Sequence, residues 1–326
     1  MRIAIITDKS RKGFLPLNEA LLEDKQKEET VKDLLEVLSK KYDCIRMTAD
    51  DNIIKNLRYE KVDLIFNLCN GLVGDSKLAQ LPALFEFLNI PYTGSSIMGH
   101  GLAINKNYSS TIFQASNVPT PKFFPVFNIK EIEDIDLEFP IIIKPNDEGS
   151  SRGIHQDSLV FNKEELYNKV KEELTLYNPP IILNEYIQGL ELSIGIIGNG
   201  DYMRVLPIQE LDLLQLPEEM HKFYSFEVKA YLKTHIAYHI PARLSENEYD
   251  LISTTAIKAF NSLGLKDYGR VDIIYSNGIP YVLEINSLPG LKIGQSSLYR
   301  MAEETDFGYE GLVYEIVESA RKRYNI

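Results

Sequence analysis

Tryptophan is absent from the 326 residues, and cysteine occurs only twice. Cys44 and Cys69 have neither the spacing of a redox or zinc motif nor the density of a disulfide scaffold, so a reduced, cytoplasmic protein is expected. Positive charge is in short supply: 35 Lys and Arg stand against 47 Asp and Glu, a net charge of −12. That balance disfavours a general nucleic-acid or anionic-membrane binder, although a local basic pocket can still hold an anion. No apolar run approaches the roughly 18 residues that a membrane-spanning helix needs. The amino-terminal MRIAIITDKS meets charge too early for a signal peptide. There is no internal repeat and no low-complexity tract. The five histidines (His100, His155, His221, His235 and His239) form no metal-ligand motif, and His235 and His239 read as structural residues of one strand. No Ser/His/Asp or Cys/His nucleophile arrangement is apparent.

What is present fits a soluble globular chain of two or three domains: 44% hydrophobic and 25% charged residues. Ile3–Thr7, Cys44–Thr48 and Val62–Leu68 read as strands. Val31, Leu34, Leu35, Leu38 and Tyr42 recur at helical spacing and predict a helix over Thr30–Tyr42 with Thr30 as N-cap. Leu81, Leu84, Phe85 and Leu88 mark another helix. Strand–helix alternation predicts a parallel α/β domain over residues 1–95, with ligands near the loops Asp8–Gly13 and Asn67–Lys77 at the strand ends. Pro91–Ser96 punctuates the chain. Residues 96–185 read as a small α+β unit, with strands Lys122–Val126, Phe139–Lys144 and Ile181–Tyr186 around a helix near Lys163–Leu174. Residues 186–326 hold further strands and the helices Tyr249–Leu263 and Tyr309–Tyr324.

Chemistry concentrates in two stretches. In the first, Arg270–Tyr275 and Ile279–Ile285 flank Ser276-Asn277-Gly278 and read as a hairpin. Residues two apart in a strand share a face, so Arg270 lies with Asp272, and Glu284 with Asn286. If the two faces coincide, the hard oxygen donors suit Mg²⁺. The alternative is a solvated hairpin face, opposed by the apolar neighbours that make an unpaired carboxylate costly. In the second stretch, FPIIIKPNDEGSSRGI, a buried strand delivers Lys144 to a loop with Gly149, Ser150, Ser151 and Gly153. Such a loop offers backbone N–H groups and hydroxyls to phosphate oxygens. It is neither a Walker A loop nor a Rossmann glycine motif. Lys106 in GLAINK, after an apolar run, and Lys229 in YSFEVKAY fit the same pattern as Lys144, but either alone reads in preference as a solvated lysine. Asn184–Ile187 reads as a linker whose backbone can meet an adenine edge.

Taken together, IPYTGS, GLAINK, IIKPNDEGSSRGI, EYIQGLE, GRVDI and LEINSLPGL resemble, in the same order, the motifs of the ATP-grasp carboxylate–amine ligases, and among them the D-alanine–D-alanine ligases. The resemblance runs from about Pro91 to the carboxyl end, and more loosely from Met1. It implies a three-domain ATP-grasp fold, α/β and α+β, with an N-terminal parallel α/β domain. It also implies a cytoplasmic enzyme of peptidoglycan biosynthesis, with ATP and small amino-acid-like substrates as ligands, no nucleic-acid or membrane partner, and a homodimer. Mg²⁺ is the implied metal, with Mn²⁺ as the alternative ion. Carried over by motif, Lys106, Lys144, Ser151 and Lys229 contact the nucleotide phosphates, under a loop spanning Glu148–Gly153. Asn184, Glu185 and Ile187 line adenine, and Glu191 binds the ribose. Asp272, Glu284 and Asn286 hold the metal ions. Arg270 and the Gly290 N–H stabilise an oxyanion, Ser150 belongs to the substrate network, and Ser297 and Leu298 flank the second amino acid's carboxylate.

The chain also departs from that pattern. The family's first-domain glutamate run is replaced by TDKSRKGFLPLNEALLEDK, where Glu19 and Glu23 are the candidate substitutes. Ala230 stands where a tyrosine is expected after Lys229, and Asn184 where a glutamate is usual. LPGLKIGQSSL is longer than the usual loop. Lys9–Lys12 forms a basic loop, read as solvated in preference to binding a substrate anion.

Overall fold

In the computed structural model the described residues are 1–14, 17–149 and 151–326, with side chains described for all of these except 17–19 and 233. The chain begins with β1 (Arg2–Asp8), α1 (Leu17–Leu38), β2 (Asp43–Ala49), α2 (Ile53–Glu60), β3 (Leu64–Asn67) and α3 (Gln80–Phe87). The strands form a parallel sheet of order β2-β1-β3. Both faces of β1 are covered, which accounts for its unbroken run of fully buried Ile3, Ala4, Ile5 and Ile6.

Helix α1 starts 13 residues before the expected Thr30. Thr30 lies inside it, and its hydroxyl donates to the Gln26 carbonyl at 2.8 Å instead of capping. The apolar stripe of Val31, Leu34 and Leu38 occupies only the second half. The first half is helical because Glu, Lys and Gln are strong helix formers and Glu23–Lys27 is an i,i+4 ion pair at 2.8 Å.

Next come α4 (Ile97–Ile104), α5 (Lys106–Ala115), β4 (Phe123–Val126), β5 (Ile141–Pro145), β6 (Leu159–Val160), α6 (Lys163–Leu176) and β7 (Ile181–Glu185). These four strands make an antiparallel sheet of order β4-β7-β5-β6, whose apolar face packs Val126, Ile141, Ile143 and Leu183 against Leu166 and Val170 of α6. Asn105 caps α5 by accepting the Tyr108 N–H at 3.0 Å, which sets Lys106 at the helix start.

The last part holds β8 (Leu190–Ile197), β9 (Arg204–Val205), β10 (Gln209–Asp212), α7 (Phe226–Tyr231), β11 (Ala237–His239), α8 (Glu246–Ser262), β12 (Tyr268–Ser276), β13 (Ile279–Asn286), α9 (Ser297–Glu303) and α10 (Gly308–Tyr324). His235 and His239 do not share a strand, since His235 ends a 3-10 turn and only His239 belongs to β11. Helix α8 begins at Glu246 because Ser245 and Glu248 form a capping box.

The antiparallel sheet β11-β10-β8-β12-β13 has two unlike faces, with β9 paired beside β8. Leu192, Ile194, Ile196, Val271, Ile273, Val282 and Ile285 turn to α8 and its Ala256 and Phe260. Each aliphatic side chain so buried is worth about 1.5–3 kcal/mol. Polar residues between them face the other way. A second core joins Leu34 and Leu38 of α1 to Leu312, Ile316 and Ala320 of α10 and to Leu298 and Met301 of α9, tying the first sheet to the last.

Candidate active site

The polar face of the large sheet is built by strand periodicity plus one irregularity. Asp272 pairs with Glu284 and Arg270 with Asn286, but Ile273 pairs with Val282, leaving Leu283 as a bulge. The bulge lets Val282 and Ile285, three apart, both face α8 while Glu284 between them turns to the opposite side. The two faces left open by the sequence therefore coincide. Across β8, Ser193 pairs with Asp272 on one side and with Gln209 of β10 on the other. A row of polar side chains, Gln209–Ser193–Asp272–Glu284, thus crosses four strands.

Its bonds are short. Arg270 grips Asp272 with two parallel bonds, Nε to Oδ1 at 2.8 Å and Nη2 to Oδ2 at 2.6 Å. Ser193 Oγ donates to Asp272 Oδ1 at 2.7 Å, and Asn286 Nδ2 donates to Oδ2 at 2.9 Å. Glu284 lies 3.5 Å from Lys106 Nζ. Burial raises the Glu284 carboxyl, but Lys106, Lys144 and Arg270 prevail and hold it below the usual carboxylate range. Arg270 stays charged despite its burial because Asp272 and Glu284 face it.

The three sequence-singled lysines converge here. Lys106 and Lys144 are only 4% and 8% exposed, which overturns the solvated reading for Lys106. Lys144 is pushed down to about 8 by burial and then by Lys106, and Lys229 to about 8 by burial and then by Arg270. Glu191 of β8 is pushed up to about 8 by burial and by Asp272. Buried cations pressed together in this way call for an anion of several charges.

The residues after β5 close over this cluster. Glu148 accepts from Lys106 Nζ through its backbone carbonyl at 2.5 Å, and its carboxylate meets Lys77 at 2.9 Å and Arg152 at 3.6 Å. Ser151 takes a left-handed backbone with φ +60° and donates to the Tyr224 carbonyl at 3.3 Å. Ser150 lies outside the described residues. Asn184 is buried on β7 with its Oδ1 lacking a partner among the described residues, and Glu185 and Ile187 follow where the chain leaves the strand. Gly290 is exposed beyond β13, and its nearest neighbour, Ser296 Cβ, lies 3.8 Å from where a side chain would begin. Leu298 is fully buried on α9, beside Ser297. Gly195 of β8 meets Leu298, Leu206 and Met301, so any side chain there would collide with them.

The basic amino-terminal loop is not simply solvated. Arg11 is 7% exposed and holds Glu23 through Nε at 3.0 Å and Nη2 at 2.5 Å. Lys27 at 2.8 Å and Arg152 at 3.5 Å reach the same carboxylate. Burial opposes this charge, but Arg11 and Lys27 win and hold the Glu23 carboxyl down to about 2. A carboxyl whose folded value is depressed contributes stability above its ordinary value of 4.5, and that contribution disappears as pH falls toward 2. Glu23→Gln is therefore expected to flatten the acid limb of a stability–pH curve between about 4.5 and 2 and to lower stability at neutral pH by a few kcal/mol. Urea midpoints measured across that range check this. An unchanged acid limb would show that the cluster is not formed in solution.

Sequence reading missed several contributors. Ser193 was visible in principle, since Glu191, Ser193 and Gly195 alternate through LELSIGI. Gln209, 1% exposed, donates from Nε2 to Ser297 Oγ at 3.2 Å, a contact between residues 88 apart that no local pattern signals. Lys77 and Arg152 act through Glu148 and Glu23 and likewise needed the fold.

The D-ala D-ala ligase C-terminus family matches residues 113–318. The chain belongs to the D-alanine–D-alanine ligase family. An uncharacterised protein of Sinorhizobium fredii is 34% identical over 263 residues, 80% of this chain and 75% of that protein. The D-alanine–D-alanine ligase of Thermotoga petrophila is 33% identical over 293 residues, covering 90% of each chain. The crystal structure of D-alanine–D-alanine ligase from Bacillus anthracis complexed with ATP superposes with a TM-score of 0.77 at 22% identity, covering 100% of this chain and 99% of that one. This chain therefore has the three-domain ATP-grasp fold of the family and is an ADP-forming, ATP-dependent ligase. No helix among the described residues is long and apolar enough to cross a membrane.

The residues present fit a divalent cation. Asp272, Glu284 and Asn286 carry hard oxygen atoms on one face of one hairpin, with Asp272 and Glu284 directly opposed, and a cation there would take the place of the Arg270 and Asn286 N–H groups that Asp272 now accepts. A Mg²⁺ ion there, with Mn²⁺ as alternative, would supply neutralisation of phosphate charge. The other acidic cluster, Glu210, Asp212 and His239, is occupied by Arg243, which bonds both carboxylates.

Proposed function

We propose that this ligase joins the carboxylate of one amino acid to the amine of a second, with D-alanine in both positions as the activity its curated relatives favour and peptidoglycan precursor synthesis as its setting. The observation that carries the reading is the convergence of Lys106, Lys144 and Lys229 on the face that holds Arg270, Asp272 and Glu284. In this reading a donor carboxylate oxygen attacks the γ-phosphorus of ATP, the bond to the β-phosphate oxygen breaks, and ADP leaves. The amine then attacks the acyl carbon and expels phosphate. Lys106, Lys144, Lys229 and Ser151 hold phosphate oxygens, and Arg270 with the Gly290 N–H takes the charge that develops on the acyl oxygen. Asn184, Glu185 and Ile187 line the adenine, and Glu191 binds the ribose. Ser150 belongs to the network at the substrate, and the loop Glu148–Gly153 keeps water from the reactive acylphosphate. Ser297 and Leu298 hold the acceptor.

The three sheets motivate a division into domains 1–95, 96–185 and 186–326, working in the cytoplasm as a homodimer without nucleic acid.

One observation favours the same chemistry on another donor. Glu23, one of the two candidate substitutes for the family's first-domain glutamate, already accepts from Arg11, Lys27 and Arg152, and a carboxylate has about four lone-pair sites in all. Release of ADP and phosphate, measured over a panel of D- and L-amino acids, decides between the two. Turnover with D-alanine above the ATP-only background supports the first. Turnover only with another acid supports the second. Silence with every acid sinks both.

A further inference from the structure

The acceptor end of the site carries a cation that the reaction described above does not use. Strand β11 pairs with β10 so that Tyr238 stands opposite Leu211, two residues from Gln209 and on the same polar face. Tyr238 also neighbours Tyr224, which in turn lies near Arg270, so it belongs to the wall of the reaction centre. Helix α9 lies over this end of the face. Ser297 bonds Gln209 from one turn of the helix. Arg300, three residues on and therefore on the same side of the helix, lays its guanidinium over the Tyr238 ring, 4.3 Å from the centroid. The stacking fixes the plane of the guanidinium and leaves its N–H edge available. No carboxylate pairs with Arg300 among the described residues, although the chain has 47 acidic residues against 35 basic ones and most buried cations near the site are paired.

We propose that Arg300 is a specificity-determining residue that recognises the carboxylate of the amine-bearing substrate, held in place by Tyr238 and set beside Ser297 by Gln209. An anionic acceptor is the chemical complement of a half-buried, stacked guanidinium with open donors. A planar fork also suits a carboxylate better than it suits a neutral amide. The inference rests on the ligase reading, because it assigns a role within the second half of that reaction.

The test compares each acceptor as free acid and as carboxamide in steady-state ADP release by the full-length protein. Wild type is expected to favour the acid. Arg300→Met is expected to raise KM for the acid about tenfold or more, leaving KM for the amide and kcat within about twofold. Arg300→Lys, which keeps the charge but not the fork, is expected to recover part of the difference. Equal changes for acid and amide would assign Arg300 a purely structural role and overturn the proposal. So would a wild-type enzyme with no acid preference, a result that does not depend on any variant folding. Should no pair release ADP, the ligase reading itself fails. The preference is then read by calorimetry with D-alanine and D-alaninamide in the presence of ATP, where equal heats for the two overturn the Arg300 assignment.

Discussion

Glu284→Gln is expected to lower kcat/KM by about 10²–10³-fold without weakening nucleotide binding. The two halves of that expectation have separate causes. The carboxylate is one of the oxygens that would hold the metal at the reacting phosphate, so turnover loses a source of charge neutralisation. In the protein alone, however, Glu284 offsets Lys106 at 3.5 Å and helps keep Lys144 charged. Removing its charge takes away the anion that competes with phosphate for Lys106, and bound phosphate replaces Glu284 in keeping Lys144 charged, so ATP measured without divalent metal should bind about as tightly as before. Calorimetric titration with ATP in chelator, beside ADP release in Mg²⁺, checks both. Loss of less than tenfold in turnover would place the reaction elsewhere, and a protein that bound ATP with no reaction altered by the substitution would be a nucleotide-binding protein and not a ligase. The neutral glutamine is nearly isosteric, but it removes a carboxylate that the buried cations hold down and leaves Lys106 without its partner, so a lower melting temperature is expected beside the kinetic effect.

Asp267→Ala is expected to cost about 3–5 kcal/mol and lower the melting temperature by roughly 10 °C. Asp267 is fully buried and accepts four bonds: from the Gly94 N–H at 2.8 Å, from Asn199 Nδ2 at 2.8 Å, and from Arg323 Nη2 at 2.7 Å and Nε at 3.2 Å. It thereby fastens the segment after the first sheet, the turn after β8 and the carboxyl-terminal helix to one point. Arg323 also donates to the carbonyls of Tyr92 and Gly94 at 2.8 and 3.0 Å. Deleting the carboxylate strands that guanidinium in a half-buried pocket, which is the costly way to break an ion pair. The double variant Asp267→Ala/Arg323→Met should therefore be less destabilised than the sum of the two single variants, because the uncompensated charge is gone. Strict additivity in thermal melts would show that the two side chains do not act as a pair.

Strand periodicity made Arg270 and Asp272 legible as one face and Glu284 and Asn286 as another, because the alternation is a local property of extended backbone. Lys144 was legible for a similar reason, because it ends an apolar strand, whereas Lys106 and Lys229 stood out through the order of the motifs around them. The expected Thr30 cap failed because an apolar stripe marks only where a helix is buried. The residues LLEDKQKEE continue the same helix with their charges outward and toward Arg11. Likewise the basic loop looked solvated because nothing local links Arg11 to Glu23, or Arg152 to either.

By itself, then, the sequence determined the hairpin, the strand-end Lys144, the Gly/Ser loop and, through the ordered motifs that also hold Lys106 and Lys229, the ATP-grasp family, since each is written in short-range periodicity and ordered motifs. Tertiary structure alone decided that Asp272 faces Glu284, through a one-residue bulge at Leu283. It alone saturated Glu23 with three basic side chains, and it alone brought Gln209 and Tyr238 under Ser297 and Arg300. Those contacts join residues tens to hundreds of positions apart, and their partners are chosen by register and packing, which no local pattern encodes.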